Sequence, residues 1–237
     1  MSHKEISRRM FLAGAGAAMA GPRLLRRKEE VPAMLDHILL GTNDLDAGIE
    51  YVERQTHMRA AFGGVHPGRG TRNALLSLGE RRYLEIIAPD PEQVGAPDTY
   101  GLKSLHVPRI LTWAAHVERI EEKARQLRAA DIGFEGPNAG SRARPDGRVL
   151  KWRTLALRDN HRGMLPFFIE WDAESVHPSA DAPPGCRLKR FEAALPHPSD
   201  LQQMYARLGL EILVINGDKE ELRAEIAGKS AWLVIAS

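Results

Sequence analysis

The sequence predicts an α+β protein built from repeated β-α-β-β-β units, and three observations carry that reading. A strand, an amphipathic helix and a group of further strands recur in the same order three times along the chain. The helix-face residues Leu45, Ile120 and Leu201 stand 75 and 81 positions apart, a spacing that fits repeated modules better than a solenoid. One helix for every three or four strands also argues against a doubly wound parallel sheet.

The elements follow in order. Residues 35–41 read as a buried strand ended by Gly41-Thr42-Asn43-Asp44. Asp44 is placed to cap a helix whose apolar residues Leu45, Ile49 and Val52 share one face. A Gly/Pro-rich loop is expected next, then strands at 73–78 and 82–88 around Gly79-Glu80, stopped by Pro89-Asp90-Pro91. The second copy has a strand at 110–115 and a helical face of Val117, Ile120, Ala124 and Leu127. A Gly/Pro/Arg loop at 136–147 then precedes strands at 149–157 and 165–171. A shorter third copy has a strand at 188–195 and a helix marked by Leu201, Met204, Tyr205 and Leu208, capped by Ser199 or Asp200. Strands near 211–216, 222–226 and 232–236 end it. The organisation is therefore a first module at 34–98, a second at 99–175 and a partial third at 176–237.

The residues before Met34 read differently. Ser7-Arg8-Arg9-Met10-Phe11-Leu12 leads into an Ala/Gly run with a small-x-small cleavage site at Ala18-Met19-Ala20. Residues 1–20 resemble a bacterial twin-arginine export signal, which implies a periplasmic protein exported in the folded state. The alternative is a cytoplasmic form starting at Met34. Residues 21–33 read as a linker.

Composition excludes several classes. Apolar residues make up 43% and charged residues 27%, which is globular composition. With 33 basic and 31 acidic side chains the net charge is only +2, giving no basic face for nucleic acid. No apolar run approaches the roughly 20 residues of a membrane span. The single cysteine, Cys186 in Pro-Pro-Gly-Cys, rules out an internal disulfide and reads as a loop residue. No Gly-x-Ser-x-Gly occurs, so a serine hydrolase of the usual kind is not supported.

Several stretches carry a family resemblance. They are Leu35-Asp36-His37-Ile38, the run from His66 to Leu76, the run from Tyr83 to Asp90, the run from Ser141 to Gly147, and Pro166-Phe167-Phe168-Ile169-Glu170-Trp171. Over about 34–171 the chain resembles the vicinal oxygen chelate superfamily, and within it the glyoxalase-like branch. The resemblance implies paired modules forming curved mixed sheets around a cavity, as in glyoxalases and dihydroxybiphenyl dioxygenases. It also implies a divalent metal held by the first and last strands of each module. Carried over by position, His37 and Glu85 match in the first module and Glu170 in the second. The fourth position falls near Thr112 or Trp113, neither a good ligand, with His116 a competing choice. Such a donor set suits Zn, Fe, Mn, Ni or Co. A metal there would act as a Lewis acid on two neighbouring substrate oxygens, with Glu85 or Glu170 also serving as catalytic proton acceptor. The missing second-module ligand also argues against an extradiol dioxygenase.

Strand alternation places Glu85 on the face of Tyr83 and Ile87, where a lone ionised carboxylate needs a metal, a cation or a proton. Arg69, Arg72, Arg142 and Arg144 precede the strands expected to line the cavity and suit an anionic or oxygen-rich ligand. His66, Asn73 and Trp152 are candidates for the same pocket. His177 and His197, each before Pro-Ser, read as marking turns and helix entry rather than ligation. The functional expectation is a lyase, isomerase or hydrolase acting on a small oxygen-rich molecule; the alternative is a metal-free binding protein. No nucleic-acid or membrane partner is expected, and a homodimer is compatible with the pattern.

Overall fold

The computed structural model describes residues 30–144 and 146–237. The expected export signal, and the linker up to residue 29, lie outside them. The first module comprises β1 (Leu35–Gly41), α1 (Leu45–Thr56), β2 (Ala61–His66), β3 (Thr71–Ser77) and β4 (Tyr83–Pro89). The second comprises β5 (Arg109–His116), α2 (Ile120–Ala129), β6 (Phe134–Ala143), β7 (Val149–Leu157) and β8 (Phe167–Trp171). After the short α3 (Pro178–Asp181) come β9 (Arg187–Leu195), α4 (Ser199–Arg207), β10 (Leu213–Asn216), β11 (Glu221–Ala227) and β12 (Trp232–Ala236).

Local signals explain the element starts. The Asp44 carboxylate accepts from the Ala47 amide at 2.8 Å, capping α1 as its sequence position requires. Leu45, Ile49 and Val52 then turn inward, packing in one apolar cluster with Leu76, Leu84 and Ile86. Each such side chain contributes about 1.5–3 kcal/mol by leaving water. The third helix differs from expectation: Pro198 is its N-cap, and neither Ser199 nor Asp200 supplies a side-chain cap.

The two modules join into one eight-stranded sheet of order β2-β3-β4-β1-β5-β8-β7-β6. Within each module the first and last strands run parallel, β1 with β4 and β5 with β8. The central β1–β5 pair is antiparallel and fuses the halves. Helices α1 and α2 cover one face, and the other face curls around a cavity.

Two segments expected as loops, at β2 and β6, are the outermost strands. Gly63, Gly64, Gly136, Pro137 and Gly140 interrupt the apolar alternation there, so the period-2 signal is lost. Both strands are also mostly exposed or only half-buried, so fewer of their positions call for apolar side chains. The glycines have a spatial purpose. A β-carbon on Gly64, whose φ is +142°, would lie 2.9 Å from the Ala143 carbonyl oxygen. The two edges thus meet, and the sheet curls nearly shut.

The third unit repeats the order of element types but not their lateral order. Its sheet runs β10-β9-β11-β12, with β9 parallel to β10 across α4 and antiparallel to β11. It packs against both modules, with β12 lying on α1 and β5, in one continuous apolar core. Trp113 meets Phe191 edge-on at 5.4 Å, and the Tyr205 hydroxyl donates to the Met164 carbonyl at 2.8 Å. Residues 30–31, at the end of the expected linker, belong to the folded body: Glu30 bridges to Arg190 of β9 and Val31 packs on the core. No helix among the described residues is long and apolar enough to cross a membrane.

Candidate functional site

The cavity inside the curled sheet has a volume of about 360 Å³. It brings together His37, His66, Arg69, Asn73, Glu85, Arg142 and Trp152, all expected as site residues.

At its centre, β1 carries an irregularity. Leu35 pairs with Ala115 and His37 with Ala114, so Asp36 is an extra residue, a β-bulge against β5. The bulge breaks strict alternation and allows Asp36 and its neighbour His37 to meet side chain to side chain. One Asp36 oxygen accepts from His37 Nδ1 at 2.7 Å; the other accepts from Trp171 Nε1 at 3.0 Å and His177 Nε2 at 3.1 Å. His177 Nδ1 in turn accepts from the Ser179 amide at 3.2 Å, which leaves its proton on Nε2. Burial works against the Asp36 charge, but the bonds from His177 and His37 outweigh it and hold the carboxyl well below the usual range. Asp36 can only accept, so in the neutral His37 ring it places the proton on Nδ1 and leaves Nε2 with a lone pair facing the cavity. The His37 ring is fixed further by stacking on Tyr83, centroid to centroid 4.5 Å.

Glu85, on the inward face of β4, completes the centre. Its Oε2 lies 3.5 Å from His37 Nε2, and its Oε1 accepts from Asn73 Nδ2 at 2.6 Å. Asn73 Oδ1 accepts from Arg142 Nη1 at 2.6 Å, so a buried guanidinium reaches Glu85 through one amide. Burial raises the Glu85 pKa, but His37, His66, the Asn73 amide and Arg142 together bring it below the ordinary value. His66 stands 3.7 Å from Glu85 Oε1, and its Nδ1 meets the hydroxyl of its cross-strand partner Thr71 at 2.9 Å. Burial lowers the His66 pKa, Glu85 opposes, and Arg142 and Arg69 reinforce the lowering, so its neutral form is favoured.

Three expected site residues lie elsewhere. On β8 the inward residues are Phe167, Ile169 and Trp171, which sends Glu170 to the outer face. There it accepts from Arg153 Nε at 2.9 Å, and Arg153 also reaches Glu121 of α2. Arg72 sits between the inward residues Thr71 and Asn73, so alternation turns it outward. Arg144 lies past the end of β6 and pairs with Asp181 at 2.9 Å.

The expected metal set is therefore not assembled. Ala114 stands across from His37 on β5. Ile169 stands two residues past Phe167, the partner of Ala114, as Glu85 stands two past Tyr83, the partner of His37. Counting back from the helix lands on Thr112, because Ala114 stands only six positions before Ile120, whereas His37 stands eight before Leu45. Thr112 bonds the Leu165 carbonyl, and Trp113 is buried against Phe191. His116 lies beside Asp36, its Nδ1 3.8 Å from the carboxylate. Among the described residues, no group of three or more His, Cys, Asp or Glu has the arrangement to hold a metal ion. The donor chemistry agrees: one Glu85 oxygen is taken by Asn73, and Arg142 already supplies positive charge. The residues present do not fit the implied ion.

Sequence reasoning missed Asp36, Trp171, His177 and Tyr83 as parts of the site. The one available signal was an acid inside an otherwise buried strand at Asp36. His177 does begin a short helix, as its Pro-Ser context suggests, yet the same ring also holds Asp36.

Paired modules, a cavity on the curled inner face and an ionisable cluster within it define a protein of the vicinal oxygen chelate type. The chain matches the glyoxalase-like domain model over residues 35–209 and belongs to that family. Among solved structures it is similar to a hypothetical protein from Staphylococcus aureus, with a TM-score of 0.61 and 16% identity, covering 85% of this chain and 84% of that one. That likeness is one of fold. Methylmalonyl-CoA epimerase from Mycobacterium tuberculosis gives a TM-score of 0.42 at 18% identity, covering 63% of this chain and 92% of that one. A variant of the Streptomyces coelicolor epimerase, in complex with 2-nitronate-propionyl-CoA, gives 0.44 at 17%, covering 60% and 100%. No curated protein sequence matches the chain.

Proposed function

We propose that this protein is an enzyme that moves a proton on a small anionic, oxygen-rich molecule, with His37 as proton acceptor. One observation carries the reading. His37 Nε2 and Glu85 Oε2, each held in place by other groups, face each other at 3.5 Å across the cavity, and with the imidazole neutral both are acceptors. A proton brought between them by a ligand satisfies both. A hydroxyl, or a C–H beside a carbonyl, supplies one.

The surrounding residues suit that task. When His37 takes the proton, the imidazolium lies between the Asp36 and Glu85 carboxylates, which stabilise it. Negative charge left on the substrate falls near Arg69 and Arg142, whose planar forks match a carboxylate or an enolate oxygen. The family's divalent metal has no part in this step.

The test is hydrogen exchange. Pyruvate carries exchangeable protons beside its carbonyl, so loss of its methyl signal in D₂O, followed by proton NMR, reads the proposed step directly. Wild-type protein is expected to accelerate the exchange, and His37→Ala to abolish the acceleration. Equal rates with the two proteins would defeat the reading. The apolar positions Ala114 and Ile169 favour the second reading, a non-catalytic binder; calorimetric binding of short 2-oxo or 2-hydroxy acids without any exchange would support it.

Residues 7–20 support a further proposal, that the protein is exported to the periplasm by the twin-arginine route. Mature periplasmic protein is expected to begin near Gly21, and Arg8→Lys with Arg9→Lys to leave it in the cytoplasm. Full-length cytoplasmic wild-type protein would overturn this.

A further inference from the structure

The two sides of the cavity differ in chemistry. The first module supplies His37, His66, Arg69 and Glu85, and the second adds Arg142 together with the aromatic and apolar side chains Trp152, Phe167, Ile169 and Trp171. Trp152 pairs across the strands with Gly140 on one side and Trp171 on the other. A β-carbon on Gly140 would lie 2.5 Å from Trp152 Nε1 and 2.6 Å from Cε2, so the indole occupies the space a side chain at 140 would need. One ring face is thus spent on the bare backbone of Gly140. Trp152 belongs to none of the apolar clusters of the core, its indole N–H has no acceptor among the described residues, and it is only partly buried. Trp171 stands beside it at 5.6 Å with the planes 57° apart, forming an open notch of two indoles.

A large apolar surface left half-covered inside a cavity calls for an apolar partner, and a flat indole face selects a flat one. We infer that the ligand is two-sided: an anionic, oxygen-bearing head directed to His37, Glu85 and Arg142, and a planar aromatic ring seated on Trp152 and Trp171. This rests on the proposed function for the head and adds the class of the body.

The test uses three 2-oxo acids that share one head: pyruvate, cyclohexylglyoxylate and phenylglyoxylate. Their binding to the full chain is measured by calorimetry. Phenylglyoxylate is expected to bind about tenfold more tightly than pyruvate, and more tightly than the equally bulky but puckered cyclohexyl acid. Trp152→Leu is expected to cut the phenyl-to-pyruvate ratio below about threefold. Trp152→Phe, which keeps a flat ring, should retain part of the ratio, with circular dichroism confirming that both variants are folded. Trp171 is a poorer target because its N–H also holds Asp36. Equal wild-type affinity for all three acids, or a ratio that survives Trp152→Leu, overturns the inference. Arg142→Gln separates the two levels by weakening all three acids in parallel. If that loss is seen and the ratio is not, the ring subsite alone falls. If no acid binds wild-type protein, the reading of the head falls and the subsite falls with it.

Discussion

In the first half of the large sheet, the inward residues at the junction of first and last strands are His37 and Glu85. In the second half, matched by register, they are Ala114 and Ile169. The backbone plan is the same, with four strands in the same lateral order and a helix across the outer face. One copy has kept or gained titratable groups, and the other has become the wall against which a ligand rests. The difference shows that the modules divide the labour: the sheet's symmetry supplies the hollow, and departures from that symmetry supply its chemistry. Arg142 is the exception, a charged group that the second copy sends across to the first.

Substitutions at matched points test this division. The largest expected effect is on exchange: His37→Ala loses about 10²–10⁴ in rate, the usual worth of a positioned proton acceptor. Ile169→Ala, at the point matching Glu85, costs about 2–5 kcal/mol of stability in urea denaturation but leaves the rate of the folded protein within severalfold. Comparable rate losses at both points would erase the distinction.

Asp36→Ala comes next. It leaves three N–H donors, that of His37 buried and those of Trp171 and His177 partly buried, without their acceptor and is expected to cost about 3–5 kcal/mol, measured by the same denaturation. The pH dependence has a definite sign. Asp36 and Glu85 are depressed below their ordinary values of 3.8 and 4.5, and His66 below 6.5. In each case the unfolded chain binds the proton first as pH falls. Stability should therefore hold above about pH 6.5, decline below it as His66 protonates on unfolding, and fall more steeply through the carboxylate range. A stability maximum below pH 5 would contradict these assignments.

Gly63→Ala is expected to have an intermediate effect. The added methyl would lie 2.5 Å from both Arg142 Nη1 and Asn73 Oδ1, parting the bond that links the modules. About 1–3 kcal/mol is the ordinary cost of such crowding, with weaker acid binding in calorimetry. The smallest effect belongs to Glu170→Gln. Its partner Arg153 is 43% exposed, so the pair contributes within about 1 kcal/mol, and exchange should not change. A large loss of exchange there would return Glu170 to the site.

Much of the architecture is legible in the sequence because helix faces and buried strands impose periods of 3.6 and 2. Leu45, Ile49 and Val52 reveal α1, and the alternation around Glu85 turns it inward as expected. β2 and β6 escape detection because glycines chosen for close approach erase the alternation. Glu170 and Thr112 mislead for another reason: motif position and distance from a helix do not register strand parity or the shorter β5–α2 connection. Asp36 is hardest to find, since its role depends on one extra residue opposite Ala114 and Ala115, which only the pairing reveals. His177 joins the site from 141 positions away, beyond the reach of any local pattern.

The extra residue in β1 has a genetic consequence. Deleting Asp36 would restore a regular pleat with Leu35 and His37 still opposite Ala115 and Ala114, so the rest of the sheet would keep its place. The acid that sets the histidine's proton therefore occupies a one-residue bulge, the equivalent of a single codon, and the register of the strand around it does not depend on it.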